Sequence, residues 1–429
     1  MMAGQEAAPW FRRPDPVPPG AAVAVVGAGV AGCAAAGALR QAGYAVTLID
    51  RAGCLGAEAS GNPCGLLKPR LTADGGVHGR FYGQGFLHAV ETLDRLGGWL
   101  SRGILSVARN DDEAATMRRL AGTLPAEHLR FVGAAEAGAL AGVSAPLGGL
   151  WFPHAGAIAP RAVCAALAGG TAVRAAAVDS LEAVAEGWRL LADGVEVARA
   201  AAVVLAAGPW TPRLWPAADL PIHANRGHIT LLPEAAGAPP VALSFGGYLA
   251  PAVAEGRHVL GATYGRVPDP RDDGWRAPRP EDDAATLGLL AEVLPDVHAR
   301  MGEPCGGRVS LRATIADHLP VMGPLFDAAA WRRAYADLHH GRPWRSYPPA
   351  PLAGGLFVLG GLGSRGFQTA PLLAAALAAL VAGTPGPLAP DLLEAVHPGR
   401  FVLRSLRRPP KGAGAGRVTR SAAATTPSV

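Results

Sequence analysis

Apolar runs of two kinds alternate along the first fifty residues. Residues 21–27, AAVAVVG, form an uninterrupted run with the length of a buried strand. Residues 30–42, VAGCAAAGALRQA, carry small apolar side chains at helical spacing, and 44–49, YAVTLI, is a second short run ending at Asp50. The pattern predicts strand, helix, strand. Two later stretches have a similar form. Residues 203–210, VVLAAGPW, read as a strand entering a glycine turn, and 356–361, LFVLGG, as a buried strand followed by an apolar helix over about 369–382. Between them, 226–232 and 256–264 read as strands of a second, mixed sheet.

The first strand and helix are joined by Gly27-Ala28-Gly29-Val30-Ala31-Gly32, a GxGxxG. The first glycine permits a tight turn, the second lets a pyrophosphate approach the backbone, and the third lets helix pack on strand. The helix N-terminus offers free N–H groups and partial positive charge to the same anion. Asp50 stands at the end of the second strand, where a carboxylate can bond a ribose hydroxyl. Taken in register, these features predict a dinucleotide site. They do not separate FAD from NAD, and a glycine-rich turn in a generic α/β domain is the bland alternative.

Composition narrows the class. A chain of 429 residues, 50% hydrophobic, can bury a sizeable core and is expected to fold as two interlocked domains. Its five cysteines are odd in number and none forms a CxxC pair, against a disulfide framework or a structural zinc site. The first twenty residues are polar and proline-rich with no apolar core, so no secretory signal is expected. The apolar run at 371–382 is too short to span a bilayer. A cytoplasmic protein is the expectation. The net charge of +5 is uneven: from residue 400 onward there are seven basic residues and no acidic one, leaving 32 basic and 34 acidic residues in the rest. Such an arm suits a polyanion such as RNA, or serves as a solubilising tail.

Several longer segments carry more information: ASGNPCGLLKPRL at 59–71, GLWFPHAGAIAP at 149–160, NRGHITLLP at 225–233, GGYLAP at 246–251, ADHLPVMG at 316–323, GLFVLGGLGSRGFQTAPLLA at 355–374 and LLEAVHPGRFVLRSLRR at 392–408. With these, the chain resembles the glycine oxidase and sarcosine oxidase class of FAD enzymes. It resembles more closely the FAD-dependent oxidoreductase half of the bifunctional tRNA wobble-uridine modification enzymes of the MnmC family. The resemblance runs from about residue 21 to 408, and the ASGN and GLGSRG segments are its most specific parts.

The resemblance implies an α/β fold in which a Rossmann-like FAD-binding domain of the glutathione-reductase type is interleaved with a mixed β-sheet substrate domain. The expected segments are an N-terminal extension at 1–20, FAD-binding segments at 21–90, 146–215 and 346–400, and a substrate domain or helical insertion at 91–145. The main substrate domain is expected at 216–345, and a basic arm at 401–429, disordered after 409. It implies noncovalent FAD held by Gly27, Gly29, Val30, Ala31, Gly32 and Asp50. Further contacts are expected from Ser60, Gly61, Asn62, Gly65 and Leu66, from Ala207 and Gly208, and from Gly361, Gly363, Ser364, Arg365 and Gly366. Residues 59–62 read as a clamp on the pyrophosphate or ribityl chain, with Pro63 restricting Asn62 to extended backbone. Cys64 reads as a packing residue, and Lys68 and Arg70 face flavin, RNA or water.

The family's reaction oxidises carboxymethylaminomethyl-uridine, often 2-thiolated, to aminomethyl-uridine. Hydride passes to flavin N5 and glyoxylate is released. Such chemistry needs a cationic anchor for the carboxylate and a dry slot, not a nucleophile. Arg308, Arg312 and Arg365 are the candidate anchors. Arg308 is favoured because it lies ahead of the DHLP match, though an ordinary salt bridge would place it equally well. Tyr248 closes the pocket or is a packed strand tyrosine. The implied partner is tRNA. Only about twenty residues precede the first strand, so the methyltransferase of the fused enzymes is expected to be absent and methylation to belong to a separate protein. The chain departs from the family at His228 of Arg226-Gly227-His228, where glutamine is usual, at Ala316, where arginine is usual, and at Phe245-Gly246-Gly247-Tyr248-Leu249, where the family has YDGYL. Two other readings stay open: an oxidase of glycine, sarcosine or a D-amino acid, and a noncatalytic flavin-containing RNA-binding or assembly protein.

Overall fold

The computed structural model describes residues 7–254 and 256–408. Its first sheet has six strands in the order Val321–Phe326, Leu352–Gly360, Ala202–Leu205, Ala22–Val26, Ala45–Asp50, Val173–Ala175. All pair in parallel except the edge strand Val321–Phe326. The first apolar run therefore lies inside the sheet, and Val23, Ala24 and Val25 are buried on both of its faces. A parallel sheet covered on both sides demands such a run. On one face, Val25 and Val204 pack with the helices Val30–Gln41 and Gly366–Val381. On the other, Ala24, Val26 and Leu205 meet Trp188 and Leu190 of a small antiparallel sheet built from Ser180–Val184, Gly187–Ala192 and Val195–Ala200.

The second sheet has ten strands. Eight follow the order Gly265–Val267, His223–Pro233, Arg257–Gly261, Tyr248–Ala254, Ala242–Ser244, Trp99–Val107, Gly149–Ile158, Gly65–Leu67. Gly306–Thr314 also pairs with His223–Pro233, and Arg130–Val132 with Gly149–Ile158. Sheet membership differs from the expected segmentation in three places. Gly65–Leu67 and Gly149–Ile158, expected in the FAD-binding segments 21–90 and 146–215, belong to the large sheet. Val321–Phe326, expected in the substrate segment 216–345, belongs to the six-stranded sheet. The reason is the same each time: a short apolar run shows that it is buried, not which sheet its backbone completes.

The described parts of both termini pack on the body of the fold. Trp10 of the N-terminal extension is buried with its ring centroid 5.8 Å from those of Tyr335 and Tyr347. The basic arm starts as a helix, Arg400–Leu406, whose Val402 and Leu403 join the same aromatic cluster. Disorder was expected after 409; residues 409–429 lie outside the described residues. Among the described residues no helix is long and apolar enough to cross a membrane. The apolar run at 371–382 lies almost wholly within the buried helix Gly366–Val381.

Candidate active site at the meeting of the two sheets

A cavity of about 810 Å³ opens where the parallel strands end. Val26 and Gly27, Ile49 and Asp50, Ala176, Ala206 and Leu359–Gly361 line one wall, each at or just beyond the C-terminal end of a parallel strand. That end of an open α/β sheet is where such folds bind ligands. Ser244, Tyr248, Leu311 and Arg312 of the large sheet line the opposite wall.

The first wall has the form of an anion cradle. Gly27 has φ +106°, and a Cβ there would strike the carbonyl of Ala206. At Gly32 a Cβ would overlap the Gly27 carbonyl oxygen, so the helix starts hard against the strand only because the side chain is missing. Asp50 accepts hydrogen bonds from Ala28 N–H through Oδ2 and from Ala52 N–H through Oδ1, both at 2.8 Å. Each oxygen keeps a lone pair for another donor. The Ser60 hydroxyl accepts from Val30 N–H at 2.9 Å, which fixes the 57–62 loop across the helix N-terminus. Backbone N–H groups further into that turn have no intrahelical partner. A dinucleotide diphosphate fits this cradle.

Most of the expected site residues meet at the cavity. Gly27, Gly29, Val30, Ala31, Asp50, Ser60, Asn62, Gly65, Leu66, Ala207 and Gly208 line it, as do Tyr248, Gly361, Gly363, Ser364, Arg365 and Gly366. Gly32 and Gly61 lie behind the wall; a Cβ on Gly61 would collide with the Gly56 carbonyl. Arg308 is the main difference, since it does not line the cavity. Its Nη1 donates to Asn62 Oδ1 at 2.6 Å, and its Nη2 donates to the carbonyls of Ala57 at 2.8 Å and Glu58 at 2.7 Å. The favoured anchor is thus spent on holding the 57–62 loop from behind. Position along the strand explains this: Arg308 and Arg312 share a strand and a face, but Arg308 sits near its start, beside the loop, and Arg312 four residues on, at the cavity.

Arg312 is the more available cation. Its guanidinium carbon is 4.6 Å from the Tyr264 ring centroid, and among the described residues its one hydrogen bond goes to the Thr263 carbonyl at 3.3 Å. Arg365 Nη1 donates to the Lys68 carbonyl at 2.9 Å. Lys68 also lines the cavity, its Nζ donating to Ser106 Oγ at 3.0 Å and Ser244 Oγ at 2.8 Å. Burial raises the Tyr248 phenol and, at Cys64, pushes the thiol up to about 12, so neither ionises near neutrality. His228 does not reach the cavity; it is buried with Nε2 2.8 Å from Asp283 Oδ1. His339 and His340 form a short turn, and among the described residues no His, Cys, Asp or Glu cluster could hold a metal.

Beneath Arg312 lies a buried ion pair. Arg226 Nη1 is 2.6 Å from Asp282 Oδ2, and Thr263 Oγ1 donates to the other carboxylate oxygen at 3.0 Å. Burial opposes ionisation of Asp282, yet the bonds from Arg226 and Thr263 outweigh it and hold the carboxyl below its usual range. Arg226→Met is expected to cost about 3–5 kcal/mol by stranding the carboxylate, measured by denaturant unfolding. Because the folded-state pKa is depressed, the pair's contribution is present above the unfolded carboxyl pKa and is lost as pH falls through the folded value. Asp282→Asn is therefore expected to flatten the acid side of the stability profile, seen in unfolding midpoints from about pH 5 down to about pH 2.

Sequence reasoning missed part of the lining. Residues 176–179 follow the strand Val173–Ala175, too short to show as a run. Trp210 belongs to the noted AAGPW turn, but its contact with Arg51, 3.9 Å from the ring centroid, had no signal.

Comparison with known proteins settles the class. Residues 22–380 match the family described as FAD dependent oxidoreductase. The chain belongs to that family. This FAD dependent oxidoreductase uses FAD as its cofactor, and the cradle described above suits the dinucleotide. It is 40% identical to the tRNA 5-methylaminomethyl-2-thiouridine biosynthesis bifunctional protein MnmC of Magnetococcus marinus, over 94% of this chain and 62% of that protein. The same protein of Pseudomonas aeruginosa is 38% identical, over 94% and 63%. The chain thus spans somewhat over three fifths of the length of these relatives. Among solved structures, glycine oxidase from Geobacillus kaustophilus superposes with a TM-score of 0.66 at 21% identity, covering 88% of this chain and 98% of that one. Iminodiacetate oxidase from Chelativorans gives 0.66 at 22%, with the same coverage. At these identities the likeness establishes the fold alone.

Proposed function

We propose that this oxidoreductase converts the carboxymethylaminomethyl group of a tRNA wobble uridine, with or without 2-thiolation, to the aminomethyl group, releasing glyoxylate. The observation that carries the reading is the identity of 36–40% to MnmC proteins across 94% of the chain. The six-stranded sheet is read as the FAD domain and the ten-stranded sheet as the substrate domain. The GxGxxG turn with Asp50 is assigned to the diphosphate and ribose, the 57–62 loop to the ribityl side, and the 361–366 junction to the flavin end.

When bound, FAD accepts hydride from the substrate's glycine-like carbon. The chain's own residues bind and orient. Arg312, across the cavity from the cradle, is assigned to hold the substrate carboxylate, where a guanidinium can bond bidentately. Tyr248, half-buried on the same wall, shapes the slot and keeps it dry. The exposed Arg404, Arg407 and Arg408 offer charge to RNA phosphates. A tRNA substrate places the enzyme in the cytoplasm, and a methyltransferase activity would act on its product.

The test incubates the FAD-loaded protein with tRNA carrying the modified uridine and, in parallel, with glycine and sarcosine. Nucleoside mass spectrometry is expected to show the aminomethyl product, with glyoxylate in equal amount. An unchanged nucleoside beside rapid turnover of a free amine would overturn the tRNA reading.

A further inference from the structure

Lys68 differs from the other cations of the cavity. Two serine hydroxyls hold its Nζ, one from Trp99–Val107 and one from Ala242–Ser244. No carboxylate among the described residues forms an ion pair with it. The charged and titratable groups around it are Arg365, bonded to its carbonyl, with Arg312, Tyr248 and Tyr264 on the cavity wall; the Phe152 ring lies 6.0 Å away. Burial, then the charge of Arg365, lower its pKa to about 7. Both charge states are accommodated, because a hydroxyl can accept from an ammonium or donate to an amine.

Oxidising an amine requires a lone pair on nitrogen. A secondary ammonium has none until it loses a proton. On the substrate side of the cavity, formed by the large sheet and the 361–366 junction, the described lining residues include no His, Asp or Glu. A guanidinium is not a base near neutrality, and burial raises the Tyr248 phenol. Resting on the amine-oxidase reading above, we propose that Lys68 Nζ is the base that removes the ammonium proton of the bound substrate. The substrate N–H bond breaks and leaves its pair on nitrogen, while a new Nζ–H bond forms. The α C–H bond then supplies hydride to FAD, and the nitrogen pair closes the C=N bond. Ser106 and Ser244 keep Nζ in place through the change of charge.

The test compares wild type with Lys68→Met and Lys68→Arg, each checked for bound flavin by absorbance. Flavin reduction by modified tRNA and by sarcosine is followed by stopped flow over a range of substrate concentrations from pH 6 to 9. The wild-type ratio of reduction rate to apparent substrate dissociation constant is expected to rise with pH through about 7 and level off, because free enzyme with a neutral Lys68 amine is the form that takes up the substrate proton. Both variants are expected to be slower by about 100-fold or more at pH 8 and to lack that step. Arginine is the deciding variant, since it keeps the charge and cannot act as a base. A second readout needs no turnover: calorimetry in two buffers with N-methyl-2-aminoisobutyrate, which has no α-hydrogen. Wild type should release more protons on binding at pH 6 than at pH 8.5, and Lys68→Arg should show no such difference. A Lys68→Arg enzyme with the wild-type rate and profile would reduce Lys68 to a cation and overturn the proposal alone. Absence of flavin reduction in wild type by either substrate would overturn the amine-oxidase reading with it.

Discussion

Gly32→Ala is expected to yield a protein that purifies without its yellow colour. The added methyl would sit on the Gly27 carbonyl oxygen, and neither atom has room to retreat. Gly27 is pinned by its N–H bond to the Ile49 carbonyl at 2.7 Å, and the helix behind Gly32 is buried along almost its whole length. The helix start must therefore move away from the strand. That displaces the N–H groups assigned to the diphosphate and strains the Val30 to Ser60 hydrogen bond that ties the 57–62 loop to it. Overpacking of this kind costs roughly 1–3 kcal/mol, and each 1.4 kcal/mol is about tenfold in affinity. A ten- to hundredfold rise in the FAD dissociation constant, on the order set by those terms, is measurable by flavin fluorescence on titrating apoprotein. Retention of FAD at wild-type affinity, with the fold intact by circular dichroism, would show that the cradle tolerates a wider gap.

The N-terminal unit was legible because its signals are local. Strand, turn, helix and acidic strand end follow one another within thirty residues, and the expected elements at 21–27, 30–42 and 44–49 appear as Ala22–Val26, Val30–Gln41 and Ala45–Asp50. The large sheet was less legible because its pairings are not local. Gly149–Ile158 contains a proline and two glycines, and nothing in it names Trp99–Val107 and Gly65–Leu67 as its partners. Lys68 shows the same limit at the site. Sequence left it facing flavin, RNA or water, and the two serines that define its setting lie 38 and 176 residues away. Trp10 was hidden in a segment whose composition is polar, although one large aromatic ring is enough to anchor a terminus when others surround it.

Replacing Arg308 with alanine is expected to damage FAD binding more than substrate affinity, the reverse of what its favoured place as carboxylate anchor implied. Three acceptors would lose their donor: the Asn62 amide oxygen and the Ala57 and Glu58 carbonyls. Each such loss in a partly buried setting costs roughly 1–3 kcal/mol, although water entering the vacated space would recover some of it. The 57–62 loop would then be held chiefly by Ser60 and by the Gly56 N–H bond to the Ala28 carbonyl at 2.9 Å. Lysine at 308 cannot restore the arrangement, because one ammonium lacks the planar fork that reaches two carbonyls and an amide together. Arg312→Ala supplies the contrast. It leaves the loop untouched and removes the assigned carboxylate partner, worth roughly 1.5–3 kcal/mol for a charged hydrogen bond, or about 10- to 100-fold in KM. Measuring FAD affinity and KM for both variants separates the roles. Should Arg308→Ala raise KM steeply while FAD stays tightly bound, and Arg312→Ala do neither, the carboxylate anchor would return to Arg308 and its three bonds to the loop would have to open when substrate arrives.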